Sequence, residues 1–384
     1  MFPFSFETAP KIICEQGGAE RLGEIARSLG ITRLFLVTDP GLIKANLIDG
    51  ALVSLAAAGI EVTVFSDVLA DPPEQSVLAA VDAARAADVD GVVGFGGGSS
   101  LDTAKLVALL ARSPQALPDI YGVGLARGPR LALIQVPTTA GTGSEVTPIA
   151  ILTTPSHEKK GVVSPLLYPD IALLDSRLTL GLPPAITAMT GVDAMVHAIE
   201  AFTTRLKKNP LSDALAIKAL QLLYTNLPAA VNDGQDADVR EAMLLGSLLA
   251  GMAFANAPVG AVHALAYPLG GHCHLPHGLS NSLVLLPVLA FNLPLAQPLY
   301  AELGRAILPQ LADAGDAQTA TAFVAALRER VAAMPYAQTL REAGVRQADL
   351  PMLAQDAMKV QRLLVNNPRD VALEDALAIY QAAY

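Results

Sequence analysis

The sequence predicts an α/β domain with a mostly parallel sheet, followed by an all-helical domain. Three observations carry this. Short apolar runs rich in strand formers alternate with helical patterns through the first half. After about residue 184 the strand candidates stop and long Ala/Leu-rich helical stretches take over. The chain has 384 residues, 52% hydrophobic and 16% charged, which is long enough for two buried cores and too apolar for a disordered chain.

In chain order, the strand candidates are "RLFLVTD" (33–39), "GIEVTVFSD" (59–67), "GVVGF" (91–95), "LALIQVP" (131–137), "IAILTTP" (149–155) and "DIALLD" (170–175). Between them, "EQSVLAAVDAARAADV" (74–89) places Val77, Val81 and Ala84 at helical spacing. Beyond "GLPPAITAM" (181–189) come helical stretches such as "DALAIKALQLLYTNLPAAV" (213–231) and "AQTATAFVAALRERVAAM" (317–334). The expected domains are 1–180 and 181–384. No internal repeat or low-complexity tail is visible.

Two loops of the first domain carry a nucleotide signal. In "DGVVGFGGGSSLDTAKLVALL" (90–110), a strand ends, Gly96, Gly97 and Gly98 follow, and Ser99 or Ser100 is expected to cap a helix. Such a turn brings backbone N–H groups and a helix N-terminus to an anion, the solution used for dinucleotide pyrophosphates. It is not GxGxxG, because Ser99 and Leu101 stand at the third-glycine positions of the two registers, so a plain tight turn is the alternative. The next strand leads into "QVPTTAGTGSEVTP" (135–148), which offers Thr138, Thr139, Thr142 and Ser144 as hydroxyl donors. Asp39 ends an earlier strand. There it can accept hydrogen bonds from adenosine ribose hydroxyls and repel a 2′-phosphate, or simply cap the helix begun by Pro40.

Charge and cysteine content exclude some classes. A net charge of −10 with no Lys/Arg run argues against a nucleic-acid surface. Cys14 and Cys273 are far apart and form no CxxC, which fits two thiols in a reducing cytoplasm. The N-terminus "MFPFSFETAPK" has no secretory pattern. Residues 242–301 contain no Asp, Glu, Lys or Arg and so face a membrane test. "NAP" (256–258), "YPLGGH" (267–272), Pro287, Pro294 and Pro298 are expected to cut the run into short, closely packed core helices.

The same run holds His263, His272, His274 and His277. Upstream, "TGVDAMVHAIEAF" (190–202) puts Asp193 and His197 four apart, on one face of a predicted helix. Burying a carboxylate and several imidazoles without partners is costly, and a divalent cation satisfies them together. Asp193, His197 and two of the later histidines would make a four-ligand oxygen/nitrogen site suited to Zn²⁺, Fe²⁺ or another first-row ion.

Taken together, "GGGSSLDTAK" (96–105), "PTTAGTGSE" (137–145), "GVDAMVHAIE" (191–200) and "HALAYPLGGHCHLPHG" (263–278) resemble the iron-containing (group III) alcohol dehydrogenase family. The motifs stand in family order over nearly the whole chain. The resemblance implies a Rossmann-like NAD-binding domain and a helical metal-binding domain, the dehydroquinate synthase-like/iron alcohol dehydrogenase architecture. It implies metal ligation by Asp193, His197, His263 and His277, with Fe²⁺ as the family ion and Zn²⁺ as an alternative. It puts the pyrophosphate on Gly97, Gly98 and Ser99, and Asp102 near the nicotinamide end. Thr138, Thr139, Thr142 and Ser144 match the second cofactor loop, and Asp39 matches the acid that prefers NAD. In "HEKKGVVSP" (157–165), Lys160 resembles the cofactor-ribose lysine, with Lys159 one register away. Phe254 falls near the family's substrate channel.

One departure bears on proton transfer. Many family members carry a further histidine four residues after the first late metal histidine, and here that residue is Tyr267. With an ordinary pKa near 10, a tyrosine is a poor base at neutral pH but can donate a hydrogen bond. His272 and His274 are the other relay candidates. The expected activity is hydride transfer between a small primary alcohol, or its aldehyde, and NAD(H), by a cytoplasmic enzyme that is a homo-oligomer, most simply a dimer. The alternative is a hydroxyacid dehydrogenase or hydroxyacid–oxoacid transhydrogenase of the same family, which would want a cation beside the site. A lyase acting on a phosphorylated sugar acid would need a Lys/Arg cluster, which residues 242–301 lack.

Overall fold

The structure, a computed structural model, describes residues 3–156 and 158–384. The described chain divides into two compact units, one of residues 8–181 and one joining residues 3–7 to 182–384.

The first unit holds nine strands: β1 (Lys11–Cys14), β2 (Arg33–Val37), β3 (Glu61–Phe65), β4 (Gly91–Gly96), β5 (Gly122–Val123), β6 (Ala132–Pro137), β7 (Ile149–Thr153), β8 (Lys159–Val163) and β9 (Ile171–Leu174). Its helices are α1 (Leu22–Ser28), α2 (Pro40–Lys44), α3 (Asp49–Ala57), α4 (Glu74–Ala86) and α5 (Gly98–Leu110). Six strands form one all-parallel sheet in the order β1-β9-β6-β4-β2-β3. Alternation along β2 sends Leu34 and Leu36 to one face and Phe35 and Val37 to the other, and each face meets its own apolar layer. Leu22 and Ile25 of α1 and Leu55 of α3 cover the first; Val77 and Val81 of α4 and Val107 of α5 cover the second. A parallel sheet needs this double cover.

Two differences from the sequence reading concern strands. "IAILTTP" does form a strand, β7, but in a separate three-stranded sheet, β5-β8-β7, where it runs antiparallel to β8. β1, β5 and β8 carry too little apolar alternation to stand out. "KIIC" is largely exposed at the sheet edge, and β8 opens with two lysines.

The second unit is helical: α6 (Pro184–Thr203), α7 (Pro210–Asn232), α8 (Ala237–Asn256), α9 (Ala261–Cys273), α10 (His277–Ile307), α11 (Asp316–Ala332), α12 (Leu350–Ala357), α13 (Gln361–Leu364) and α14 (Leu373–Ala383). "NAP" does separate α8 from α9. The other expected breaks do not occur: α9 runs through Pro268, and α10 runs unbroken through Pro287, Pro294 and Pro298. A proline normally costs a helix about 3 kcal/mol. Here Pro294 and Pro298 lie on the exposed side of α10, where water can take the freed carbonyls. The opposite side buries Val284, Val288, Leu289, Asn292, Ala296 and Tyr300 against α6, α9, α11 and α14. Tertiary packing therefore holds the helix despite its local propensity. By length and composition α7 and α10 could each cross a bilayer, but 61% of the apolar window of α10 is already buried against the rest of the chain.

Candidate functional site

Two sites emerge, one in each unit. In the first, the strand order reverses between β2 and β4: the chain steps from β2 to β3 on one side, then returns to β4 on the other. Nucleotides bind at such switch points, beyond the carboxyl ends of the strands. Asp39 follows β2 and the triple glycine spans the end of β4 and the start of α5, so residues about sixty apart in sequence stand at neighbouring strand ends.

The glycines allow close approach. A Cβ on Gly98 would lie 2.7 Å from the Thr142 methyl, so only glycine lets the second loop sit on the start of α5. The Thr138 N–H donates to the Gly96 carbonyl, which joins the two loops. Contrary to expectation, neither Ser99 nor Ser100 caps α5. Gly97 holds the cap position with no side-chain cap, because the helix already begins at Gly98. Ser99 Oγ accepts from the Asp71 N–H instead. The first turn of a thirteen-residue helix thus opens to the loop without a side-chain acceptor over it, the arrangement that receives an anion.

Asp39 is the N-cap of α2, accepting through Oδ1 from the N–H groups of Gly41 and Leu42. Lys159 and Lys160 alternate on β8. Lys160 is half exposed beside Glu158 and the Tyr121 ring, whereas Lys159 is nearly buried and pairs with Asp71, the residue bonded to Ser99.

Asp102 and Ser144 lie in a buried network that motif reading did not reveal. Lys105, one turn along α5 from Asp102, donates to Ser144 Oγ, Thr147 Oγ1 and the Ile149 carbonyl. Asp102 accepts from Ser144 Oγ and from the Ile151 N–H. Glu145 is buried beside this cluster, and its Oε1 has no hydrogen-bond partner. Burial lowers the Lys105 ammonium to about 8, the Asp102 and Glu145 carboxylates working the other way. Burial raises the Glu145 carboxyl to about 7 against the pull of its own backbone N–H and Lys105.

The second site lies among α6, α9 and α10. Asp193, His197, His263 and His277 each offer a donor atom, and the four atoms lie within 4.8 Å of one another. His197 Nε2 and His263 Nε2 are 2.9 Å apart, and His277 Nε2 is 3.7 Å from Asp193 Oδ1. Ligands of an ion bonded at about 2.1 Å stand roughly 3–4 Å apart, so the spacing fits. The Asn281 amide nitrogen donates to Asp193 Oδ1 at 2.5 Å and lies 3.2 Å from both His263 Nε2 and His277 Nε2. Two amide hydrogens cannot serve all these acceptors, and Asn281 Oδ1 is itself buried without a partner. A shared cation answers that surplus of lone pairs, and a donor set of one carboxylate and three imidazoles is chemically right for it. Burial alone would raise the Asp193 carboxyl; His197, His277, His263 and the Asn281 amide more than reverse this and hold it below the usual range.

The surroundings sort the other candidates. The Phe254 ring stacks on His197 with centroids 4.4 Å apart. Tyr267 lies one turn after His263, its ring 6.5 Å from that of His277, and Arg362 reaches its hydroxyl at 3.4 Å. His272 instead pairs with Asp356 on α12, and His274 forms the left-handed C-cap of α9; both are exposed and outside the four-donor cluster. Asn281 and Glu200 were legible only as spacing, at i+4 from His277 and i+7 from Asp193.

Residues 9–176 match the model of the iron-containing alcohol dehydrogenases, and residues 187–384 match the C-terminal model of the Fe-containing alcohol dehydrogenase family. The chain belongs to the iron-containing alcohol dehydrogenase family. Among curated members it is 38% identical over 380 residues to the probable alcohol dehydrogenase EutG of Escherichia coli K12, covering 99% of this chain and 94% of that one. It is 36% identical over 393 residues to the sulfoacetaldehyde reductase of Bilophila wadsworthia, covering 99% of both. A crystal structure of 1,3-propanediol oxidoreductase superposes with a TM-score of 0.96 at 34% identity, covering all of both chains. As an iron-containing alcohol dehydrogenase, the chain is an oxidoreductase of alcohols and aldehydes, and its family and four-donor cluster support NAD and iron as cofactors.

Proposed function

We propose that this enzyme moves a hydride between a small primary alcohol, or its aldehyde, and NAD(H), with residues 1–180 binding the nucleotide and 181–384 binding the metal and substrate. The observation that carries this is the convergence of Asp193, His197, His263 and His277 on one point, the first three buried and His277 partly exposed. When bound, the ion supplies a Lewis acid for the substrate oxygen and NAD supplies the hydride carrier. Fe²⁺ is the ion of choice on family grounds, and Zn²⁺ suits the same donors.

The chain's own groups would work as follows. Asp193 and the three histidines hold the ion. Gly97, Gly98 and Ser99 present backbone N–H groups to the pyrophosphate, and Thr138, Thr139 and Thr142 flank it. Asp39 retains one carboxylate oxygen beyond its cap for a ribose hydroxyl and disfavours a 2′-phosphate. Asp102 and Ser144 act by holding the second loop rather than through free groups. Of the two lysines, Lys159 is the better cofactor neighbour, being tied through Asp71 to Ser99. Tyr267 lines the metal side and donates a hydrogen bond; His272 and His274 take no part in proton transfer. A cytoplasmic homodimer completes the proposal, on the strength of its two unbridged cysteines and apolar composition.

A second reading, a hydroxyacid or other anionic substrate, has one observation in its favour. The cation that residues 242–301 lack is supplied by Arg362 of α13, beside Tyr267. The experiment is to strip the metal with a chelator, restore Fe²⁺ or Zn²⁺, and assay NADH formation in parallel on 1-propanol, 1-butanol and 4-hydroxybutyrate. Metal-restored activity on the alcohols supports the first reading; a preference for 4-hydroxybutyrate that disappears in Arg362→Ala supports the second; no restored activity on any of them rejects both.

A further inference from the structure

We propose that Glu200 is a positioning residue that fixes the tautomer of His263, so that its Nε2 lone pair faces the four-donor cluster. The inference rests on the reading of that cluster as a metal site and goes beyond it to a residue outside the donor set. Glu200 lies on α6 at i+7 from Asp193, on the same face, and is buried. One carboxylate oxygen, Oε2, lies 2.6 Å from His263 Nδ1. The other, Oε1, accepts from the Val262 N–H at 2.7 Å, in the first turn of α9. A carboxylate only accepts, so the proton of a neutral His263 must sit on Nδ1, which leaves Nε2 as a lone pair.

The surroundings are built for this contact. A Cβ on Gly260 would lie 3.4 Å from Glu200 Oε1 and 3.3 Å from the Asn367 Cα, tighter than ordinary packing, so glycine lets α9 start against the carboxylate. The helix N-terminus favours a negative group there. Behind Glu200 lies a small, mostly apolar cavity of about 10 Å³, lined by Ile199, Val288 and Leu289 with Asn292, Tyr300 and Asn367. The carboxylate is therefore held by one hydrogen bond at each oxygen. Groups of this kind that orient a metal-binding histidine are worth roughly 10–100-fold in metal affinity.

Glu200→Gln gives an unusually sharp test because the Val262 N–H is a fixed donor. The amide oxygen must stay on Val262, so the NH₂ group turns to His263. It can only donate, which requires Nδ1 to accept and puts the proton on Nε2, in the way of the ion. Metal-free protein labelled with ¹⁵N-histidine reports each ring's tautomer, and His263→Asn assigns the His263 signal. Competition titration with Zn²⁺ against a chelating indicator reports affinity; NADH fluorescence titration reports an intact first unit.

We expect His263 protonated at Nδ1 in the wild type and at Nε2 in Glu200→Gln, about 10–100-fold weaker Zn²⁺ binding in that variant, and unchanged NADH affinity. Wild-type His263 protonated at Nε2 overturns the inference and needs no variant to fold. Zn²⁺ affinity in Glu200→Gln within twofold of wild type overturns it as well, as does weakened Zn²⁺ binding with the tautomer unchanged. Failure of the metal reading looks different: His263→Asn would then bind Zn²⁺ as wild type does, while the tautomer measurement still decides the role of Glu200.

Discussion

Lys105 on α5 donates to Ser144 Oγ at 2.7 Å from a side chain with no exposed surface, and so ties the helix that follows the glycine turn to the second loop. Removing one partner of a buried charge cluster costs about 3–5 kcal/mol. Lys105→Met is expected to lose about that much stability by urea denaturation. It should also weaken NADH binding by about tenfold or more, equal to at least 1.4 kcal/mol, with the bound metal unchanged. NADH affinity equal to wild type would mean the clamp does not set the loop.

Glu145 gives a pH dependence whose sign follows from its burial. Its carboxyl is raised from 4.5 to about 7, so the folded state favours the protonated form. The stability this contributes is fully present below about 4.5 and is lost as pH rises toward 7. Glu145→Gln keeps the neutral form at every pH. Its stability relative to wild type is therefore expected to rise between pH 4.5 and 7 by about 3 kcal/mol, and to level off above. Denaturation midpoints of both proteins across pH 4.5–8.5 measure this; a pH-independent difference would contradict it.

Asp39 caps α2, and substitution can separate that role from the proposed selection of NAD. Asparagine caps a helix about as well as aspartate, so Asp39→Asn should leave the stability of α2 within about 0.5 kcal/mol. It removes the negative charge proposed to disfavour a 2′-phosphate. The ratio of kcat/KM for NADP to that for NAD is expected to rise about tenfold, or about 1.4 kcal/mol. An unchanged ratio would limit Asp39 to capping.

Much of this was legible in the sequence where one element carried the signal. Asp193 and His197 sit on one helical face at i, i+4, and the strand–glycine–helix run around Gly97 announces itself within twenty residues. What escaped depends on contacts between elements. The edge strand β1 is only four residues long, largely exposed and without apolar alternation. The prolines of α10 read as breaks because their cost is local, while the packing that outweighs it comes from other helices. Lys105 and Glu145 close two of the motifs, yet their roles show only when the fold brings α5 and the second loop together around them. Glu200 sits inside the recognised "GVDAMVHAIE" motif, yet its meaning depends on His263, sixty-three residues away. The adjacency of Asp39 to the glycine turn follows only from the strand order.

The central claim is that Asp193, His197, His263 and His277 share one ion and that the ion is needed for turnover. Metal analysis of anaerobically purified wild type and Asp193→Ala, coupled to an NADH assay with 1-propanol and an NADH-binding titration, tests it most directly. The expected result is about one metal per wild-type chain. The variant should lose that metal and about 10³-fold or more of kcat, about 4 kcal/mol, with NADH still bound. Full metal content and turnover in Asp193→Ala would contradict the account.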